Sequence, residues 1–255
     1  SSGYQGAEAL NILTASNLGA GAGLASTKQE LEATIAVLHS YGYEASKASE
    51  INNIFLKTVQ DGVVTLPEFS RYIGQAVTLA PAFKKANGDI AIGIEQISAA
   101  IVGMTRQGLN MAESTTAVNQ LLKTFIDPAK EAKDLAKELQ IELSPKAFAN
   151  GQTLADVLGD IINKTNGIDQ EEILGKLFGN IRALKALFKL AKDDASFFKS
   201  EIDALMSDSS AQDKALEQQR MTFDQHVKAL NTRWEVAMQS FFKVAKDMAL
   251  PVVEF

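Results

Sequence analysis

The sequence predicts an all-α protein: a duplicated helical-hairpin bundle, then a second helical subdomain, then a long C-terminal amphipathic helix of coiled-coil type. Three observations carry this. Residues 26-61 recur at 92-127 with a shift of 66 positions, helix starts and stops are marked by capping residues and glycines, and no run sustains a period of two. The repeat lays Ala33 over Ala99, Ile35 over Ile101, Gly42 over Gly108 and Asn53 over Asn119. It continues with Leu56-Lys57-Thr58 over Leu122-Lys123-Thr124 and Asp61 over Asp127, with Leu31/Ile97, Leu38/Met104 and Val59/Phe125 as conservative pairs. Each copy reads as helix, glycine turn, helix. Such units bury their apolar faces against a neighbour, so they build scaffolds more often than reaction centres.

Taken in order, residues 1-25 form a small-residue lead-in. No basic residue precedes its apolar part, which argues against a secretory signal. The run Gly19-Ala20-Gly21-Ala22-Gly23 lacks the spacing and the Gly-Lys-Ser/Thr of phosphate loops, and no strand precedes it. A hinge or a close helix contact is the better reading. Residues 26-127 are the duplicated helix-pair unit and 128-206 the helical subdomain. Capping boxes are expected at Thr27 with Glu30, Thr65 with Glu68, Asp169 with Glu172 and Ser210 with Asp213. Stops are expected at Gly42, Gly62, Gly88, Gly108, Gly151, Gly167 and Gly179, with further breaks at Pro128, Pro145 and Pro251. Val63-Val64-Thr65 is too short to be more than a turn.

Residues 207-255 read as one long helix. From Phe223 its apolar positions run Val227, Leu230, Trp234, Ala237, Phe241, Val244 and Met248, alternating steps of four and three. This is a self-association seam, or equally the face of a helix laid on the chain's own body. Arg220 interrupts it on the N-terminal side, and Phe223, Trp234 and Phe241 suit a bundle thicker than a two-stranded zipper.

Composition narrows the function classes. With 46% apolar residues there is material for a core, and a net charge of -6 offers no footprint for nucleic acid. Zero cysteines exclude disulfides and thiolate metal sites. The apolar run within Ile97 to Met104 falls far short of the ~18 residues of a membrane span. His39 and His226 stand alone, without ligand spacing, at a helix end and beside the seam. Asp193-Asp194 and Glu171-Glu172 sit at helix ends, where solvated acids are expected rather than a displaced pair in a cleft. No catalytic, cofactor-binding or metal-ligating residue is nominated. The expectation is not an enzyme, with no cofactor.

One family matches the order of features. From Asp89 to Leu190 the chain carries Ile97-Ser98-Ala99-Ala100-Ile101 up to Gly108, then Ala112 and Thr116 to Leu122, then Asp127-Pro128-Ala129. Next come Leu139-Gln140-Ile141, Gly151, Leu154 to Ile162, and Leu177-Phe178-Gly179-Asn180-Ile181-Arg182-Ala183-Leu184. This succession resembles the core region of bacteriophage or prophage tail tape-measure proteins, with Leu177-Phe178-Gly179 leading into Arg182-Ala183-Leu184 as its strongest piece. Gln140 departs from the pattern, standing where the family often has glycine.

The resemblance implies a viral structural protein that sets tail length, fills the tail-tube lumen in several parallel copies, commonly three, and leaves ahead of the genome. It implies self-association in a trimer or other small homo-oligomer, contacts with tube and baseplate or tail-tip proteins, and contact with the host membrane during ejection. The location would be the virion, in the tail lumen or tip, and the host cytoplasm during assembly. All 255 residues as one helix would reach only about 380 Å, and the breaks forbid even that. The chain, which starts at Ser1, is therefore expected to be one folded portion of a longer ruler, or a processed product. Two readings stand beside this: a non-viral helical-repeat adaptor that binds a partner between its repeats, and a membrane-active helical protein using the lead-in and the Ile97 to Met104 helix.

Overall fold

The computed structural model describes residues 3–167, 169–191 and 195–207, together with Glu217. The chain divides into two units, Ser1–Gln212 and Asp213–Phe255. The Ser210 and Asp213 cap, Asp193-Asp194, Arg220, His226, Pro251 and the whole Phe223 to Met248 seam lie outside the described residues. Among the described residues the protein is all-helical, with a single isolated β-bridge between Lys84 and Ile90.

Among the described residues of the first unit, eleven α-helices follow one another: α1 (Gly6–Gly23), α2 (Thr27–Tyr41), α3 (Ala48–Asp61), α4 (Leu66–Ala76), α5 (Ile94–Arg106), α6 (Met111–Ile126), α7 (Lys130–Glu138), α8 (Leu154–Lys164), α9 (Gln170–Phe178), α10 (Ile181–Leu190) and α11 (Ser196–Ser207). The stretches that align at a shift of 66 positions are α2 with α3 and α5 with α6. Two aligned pairs behave alike. Leu38 and Met104 are both fully buried, and Thr58 and Thr124 each turn a hydroxyl back to the carbonyl four residues earlier, Ile54 at 2.6 Å and Gln120 at 3.0 Å. Their surroundings differ: α2 packs on α1 and α4, whereas α5 packs on α3, α6 and α11.

The helix ends follow local chemistry. Gly42 and Gly179 close α2 and α9 in the left-handed region, at φ 67° and 55°. The Thr65 and Glu68 box forms as expected, and two further boxes form at Asn110 with Glu113 and at Thr153 with Asp156. Two expectations are corrected. The cap of α2 is Ser26, whose Oγ accepts from the Gln29 amide at 3.2 Å, so Thr27 lies inside the helix and its hydroxyl donates to Asn17 Oδ1 at 3.0 Å. This one-residue shift frees Glu30 from capping. Asp169 occupies the cap position of α9, but its side chain makes no capping bond.

Residues 6–23, expected within a small-residue lead-in, are an 18-residue helix packed on α2 and α3. Its glycines allow the close approach. A Cβ on Gly23 would lie 2.2 Å from Leu66 Cδ2, and one on Gly19 would lie 2.5 Å from Asn52 Oδ1. The core between α6 and the segments flanking it is aromatic. Phe125 meets Phe148 at 5.5 Å and Phe178 at 6.3 Å, and Phe83 meets Phe148 at 5.0 Å, all edge to face. Phe178, from the Leu-Phe-Gly stretch, thus anchors α9 to this cluster.

Candidate functional site

The α9 to α10 turn lies between two concave surfaces of the first unit. Gly179 ends α9 in a conformation that only a residue without Cβ adopts freely, and the next residue, Asn180, starts α10 by accepting from the amides of Arg182 at 2.8 Å and Ala183 at 3.4 Å. A stop and a start are joined with no linker. The turn is held against α6 by Asn180 Nδ2, which donates to Gln120 Oε1 at 3.3 Å, and by Phe178 in the aromatic cluster.

Two depressions flank this crossing point. One, of about 450 Å³, has a floor of Gly108, Ala112, Thr116 and Ala117 and a wall formed by Arg182 and Lys185 of α10. The other, of about 280 Å³, lies between Lys123, Asp127 and Pro128 on one side and Lys176 with the α9 to α10 turn on the other. The small side chains at Ala112, Thr116 and Ala117 of α6 leave open space beneath Arg182 and Lys185. Arg182 and Lys185 are exposed and form no ion pair among the described residues. Glu113, the acid in the same depression, is occupied in the capping box, its Oε2 accepting from the Asn110 amide at 3.1 Å. Lys176 is paired with Glu172 at 2.6 Å. A groove with two free cations over a floor of small side chains can hold an acidic side chain of a partner protein.

The other sequence candidates are scattered. His39 is exposed at the end of α2 and stacks on Tyr4 at 5.3 Å. Glu171 and Glu172 occupy the first turn of α9, as expected of solvated acids. The glycine run belongs to α1 and serves helix packing. Ile97 to Met104 is buried along its whole length. Among the described residues no cluster of metal-ligating side chains occurs, and no helix is long and apolar enough to cross a membrane. Burial raises the carboxyls of Glu30, to about 7, and of Glu95, but the two belong to different helices and share no cleft. Their burial left no mark in the sequence, where both stand in first turns like ordinary cap acids.

The family of phage-related minor tail proteins matches residues 1–179 of this chain. The chain belongs to that family. The chain is also 23% identical over 210 residues to a probable tape measure protein of Clostridium phage phiCD119, covering 81% of the chain and 22% of that relative. The chain therefore spans about a fifth of the relative's length. No solved structure matches. The family agrees with the resemblance drawn on residues 89-190, and its match extends back through α1 to the start of the chain. Membership of this family supports a structural role in a phage tail and a place in the virion.

Proposed function

We propose that this tail protein is a folded portion of a tape-measure protein: part of a longer chain whose length sets tail length, which lies in the tube lumen, meets tube and baseplate proteins, and leaves during genome ejection. The observation that carries the reading is the likeness to a probable tape measure protein over four fifths of the chain, together with the family match. The longest described helix has 18 residues, about 27 Å, so this portion serves as a packed hub and an extended part of the chain serves as the ruler. On this reading the duplicated hairpins form the hub's frame, and the groove across α6 is where Arg182 and Lys185 meet an acidic neighbour in the tail.

Self-association in a small homo-oligomer, a trimer or similar, is assigned to the seam of Phe223, Val227, Leu230, Trp234, Ala237, Phe241, Val244 and Met248. Light scattering of the full chain tests it: an oligomer that Trp234→Asp converts to a monomer supports the seam, and a wild-type chain that stays monomeric at high concentration removes it. The tape-measure reading is tested in the phage. An in-frame duplication within the extended part of the longer chain should lengthen tails in electron micrographs in proportion to the residues added, and unchanged tail lengths would end the reading. Host-membrane contact during ejection is tested by liposome leakage with the purified chain.

A further inference from the structure

A carboxyl with no cation beside it sits at the junction of α1, α2, α3 and α4. Glu30 of α2 is fully buried. Its Oε2 accepts from Ser70 Oγ of α4 at 2.7 Å. Asn52 of α3 donates through Nδ2 to Thr34 Oγ1 at 3.1 Å and to the Ala48 carbonyl at 2.7 Å, and Ser16 Oγ of α1 reaches Thr34 Oγ1 at 3.4 Å. Two acceptors are left over. Glu30 Oε1 and Asn52 Oδ1 are buried and have no hydrogen-bond donor among the described residues. They converge on the same place, since a Cβ on Gly19 of α1 would lie 3.2 Å from the first and 2.5 Å from the second.

Two buried acceptors beside each other are unfavourable unless one of them becomes a donor. A carboxylic acid can do this and a carboxylate cannot. No charge on the surrounding helices would hold the anion. On α1 the first-turn acid is Glu8; on α2, Lys28 pairs with Glu32 at the exposed surface; on α3, Glu50 pairs with Lys47 and Lys57 with Asp61; on α4, Glu68 is tied to Thr65 and Arg71 is exposed. Burial accordingly pushes the Glu30 carboxyl up to about 7, opposed only in part by the hydrogen bond from Ser70.

We propose that Glu30 is a proton-held latch for α1: protonated on Oε1, it donates to Asn52 Oδ1 and closes the four-helix junction, and loss of that proton releases α1. The release falls on α1 for a chemical reason. The Ser70 hydroxyl donates to Glu30 and holds an anion better than an acid, so the α4 side tightens. Asn52 Oδ1 faces the new charge as an acceptor, and Gly19 offers no side chain to cover it. Water must enter there. The grip of α1 on the body is also light, because its buried face is Ile12 followed by Ala15, Ser16, Gly19, Ala20 and Ala22. The sign follows from the raised carboxyl. Between its ordinary value of 4.5 and about 7 the closed state holds a proton that the open state releases, so closure is strongest below that window and weakens as pH rises through it. Above it the loss is complete, at most roughly 300-fold in the opening equilibrium.

The latch is independent of the tail assignment and is tested on the full chain by amide hydrogen exchange, corrected for intrinsic rates, between about pH 5.5 and about pH 8.5. In the wild type the opening equilibrium of α1 amides should rise roughly 30-fold over this range while α6 amides change little. Glu30→Gln keeps a donor towards Asn52 but cannot ionise, and should abolish the rise. Protection of α1 that ignores pH, or an equal rise in Glu30→Gln, would overturn the latch. If Glu30→Gln does not fold, carbon-13 titration of the Glu30 carboxyl in the wild type decides. A midpoint near neutrality supports the proposal, and a midpoint in the ordinary carboxylate range refutes it.

Discussion

Gln107 and Lys189, 82 residues apart, exchange side chains for backbone: Gln107 Nε2 donates to the Lys189 carbonyl at 2.7 Å, and Lys189 Nζ donates to the Gln107 carbonyl at 2.7 Å. The pair ties the C-terminal end of α5 to that of α10, where helix carbonyls lack intrahelical donors. A second Gln107 bond, to the Gly103 carbonyl at 3.1 Å, keeps its amide in place.

Because each of these bonds is partly open to solvent, its net worth is modest. Gln107→Ala should destabilise the chain by about 1 kcal/mol, and Lys189→Met by a similar amount or less. Chemical denaturation of the single and double variants measures both. A double variant that loses clearly less than the sum would show that the two bonds act together.

Glycines inside helices make a contrasting pair. A methyl at Gly23 would lie 2.2 Å from Leu66 Cδ2 and 3.0 Å from its Cβ, and Leu66 is itself buried, so Gly23→Ala should cost about 1 to 3 kcal/mol. A methyl at Gly175, in the middle of α9, meets nothing within 4 Å. Gly175→Ala should therefore stabilise, by up to about 1 kcal/mol, through helix propensity. Thermal melts of the two variants should move in opposite directions.

Gln140 stands in the left-handed region at φ 55°, accepting through its carbonyl from Lys164 Nζ at 2.9 Å. The backbone there is one that a side chain disfavours. Gln140→Gly should thus be neutral to stabilising, by about 0.5 to 1 kcal/mol, where the same change in a helix interior would destabilise. A loss of more than ~1 kcal/mol would mean that the turn is held by its side chain.

The box that opens α8 carries an acid with two tasks. Asp156 accepts from the Thr153 amide at 3.0 Å and from Lys199 Nζ of α11 at 2.7 Å. Burial alone would raise its carboxyl, but the hydrogen bonds from Lys199 and Thr153 outweigh burial and lower it. A lowered acid contributes stability that is present above its ordinary value of 3.8 and is lost as the pH falls through the folded value. Thr153→Ala should cost about 1 kcal/mol at neutral pH. Asp156→Asn should flatten the acid limb of the stability profile, which urea melts over a pH series would reveal.

Local chemistry made much of this legible. Thr65 with Glu68, Gly42 and Gly179 act as their residue types dictate, because a cap or a left-handed turn is decided within four or five residues. The same pattern was present at Asn110 with Glu113 and at Thr153 with Asp156, so those caps could have been found. The α2 start could not be fixed to the residue, because Ser26 and Thr27 are both competent caps and only the finished helix chooses between them.

By itself, then, the sequence determined the helical class, most helix ends and the kinship to tail proteins, all of which rest on neighbours along the chain. Tertiary structure alone decided that the glycines of α1 are contact points, that α10 leaves a groove over the small residues of α6, and that Glu30 is buried without a cation. Those outcomes depend on which residues meet across 30 or more positions, as Glu30 meets Ser70 at a separation of 40, and burial of a charge depends on everything that surrounds it rather than on its own segment.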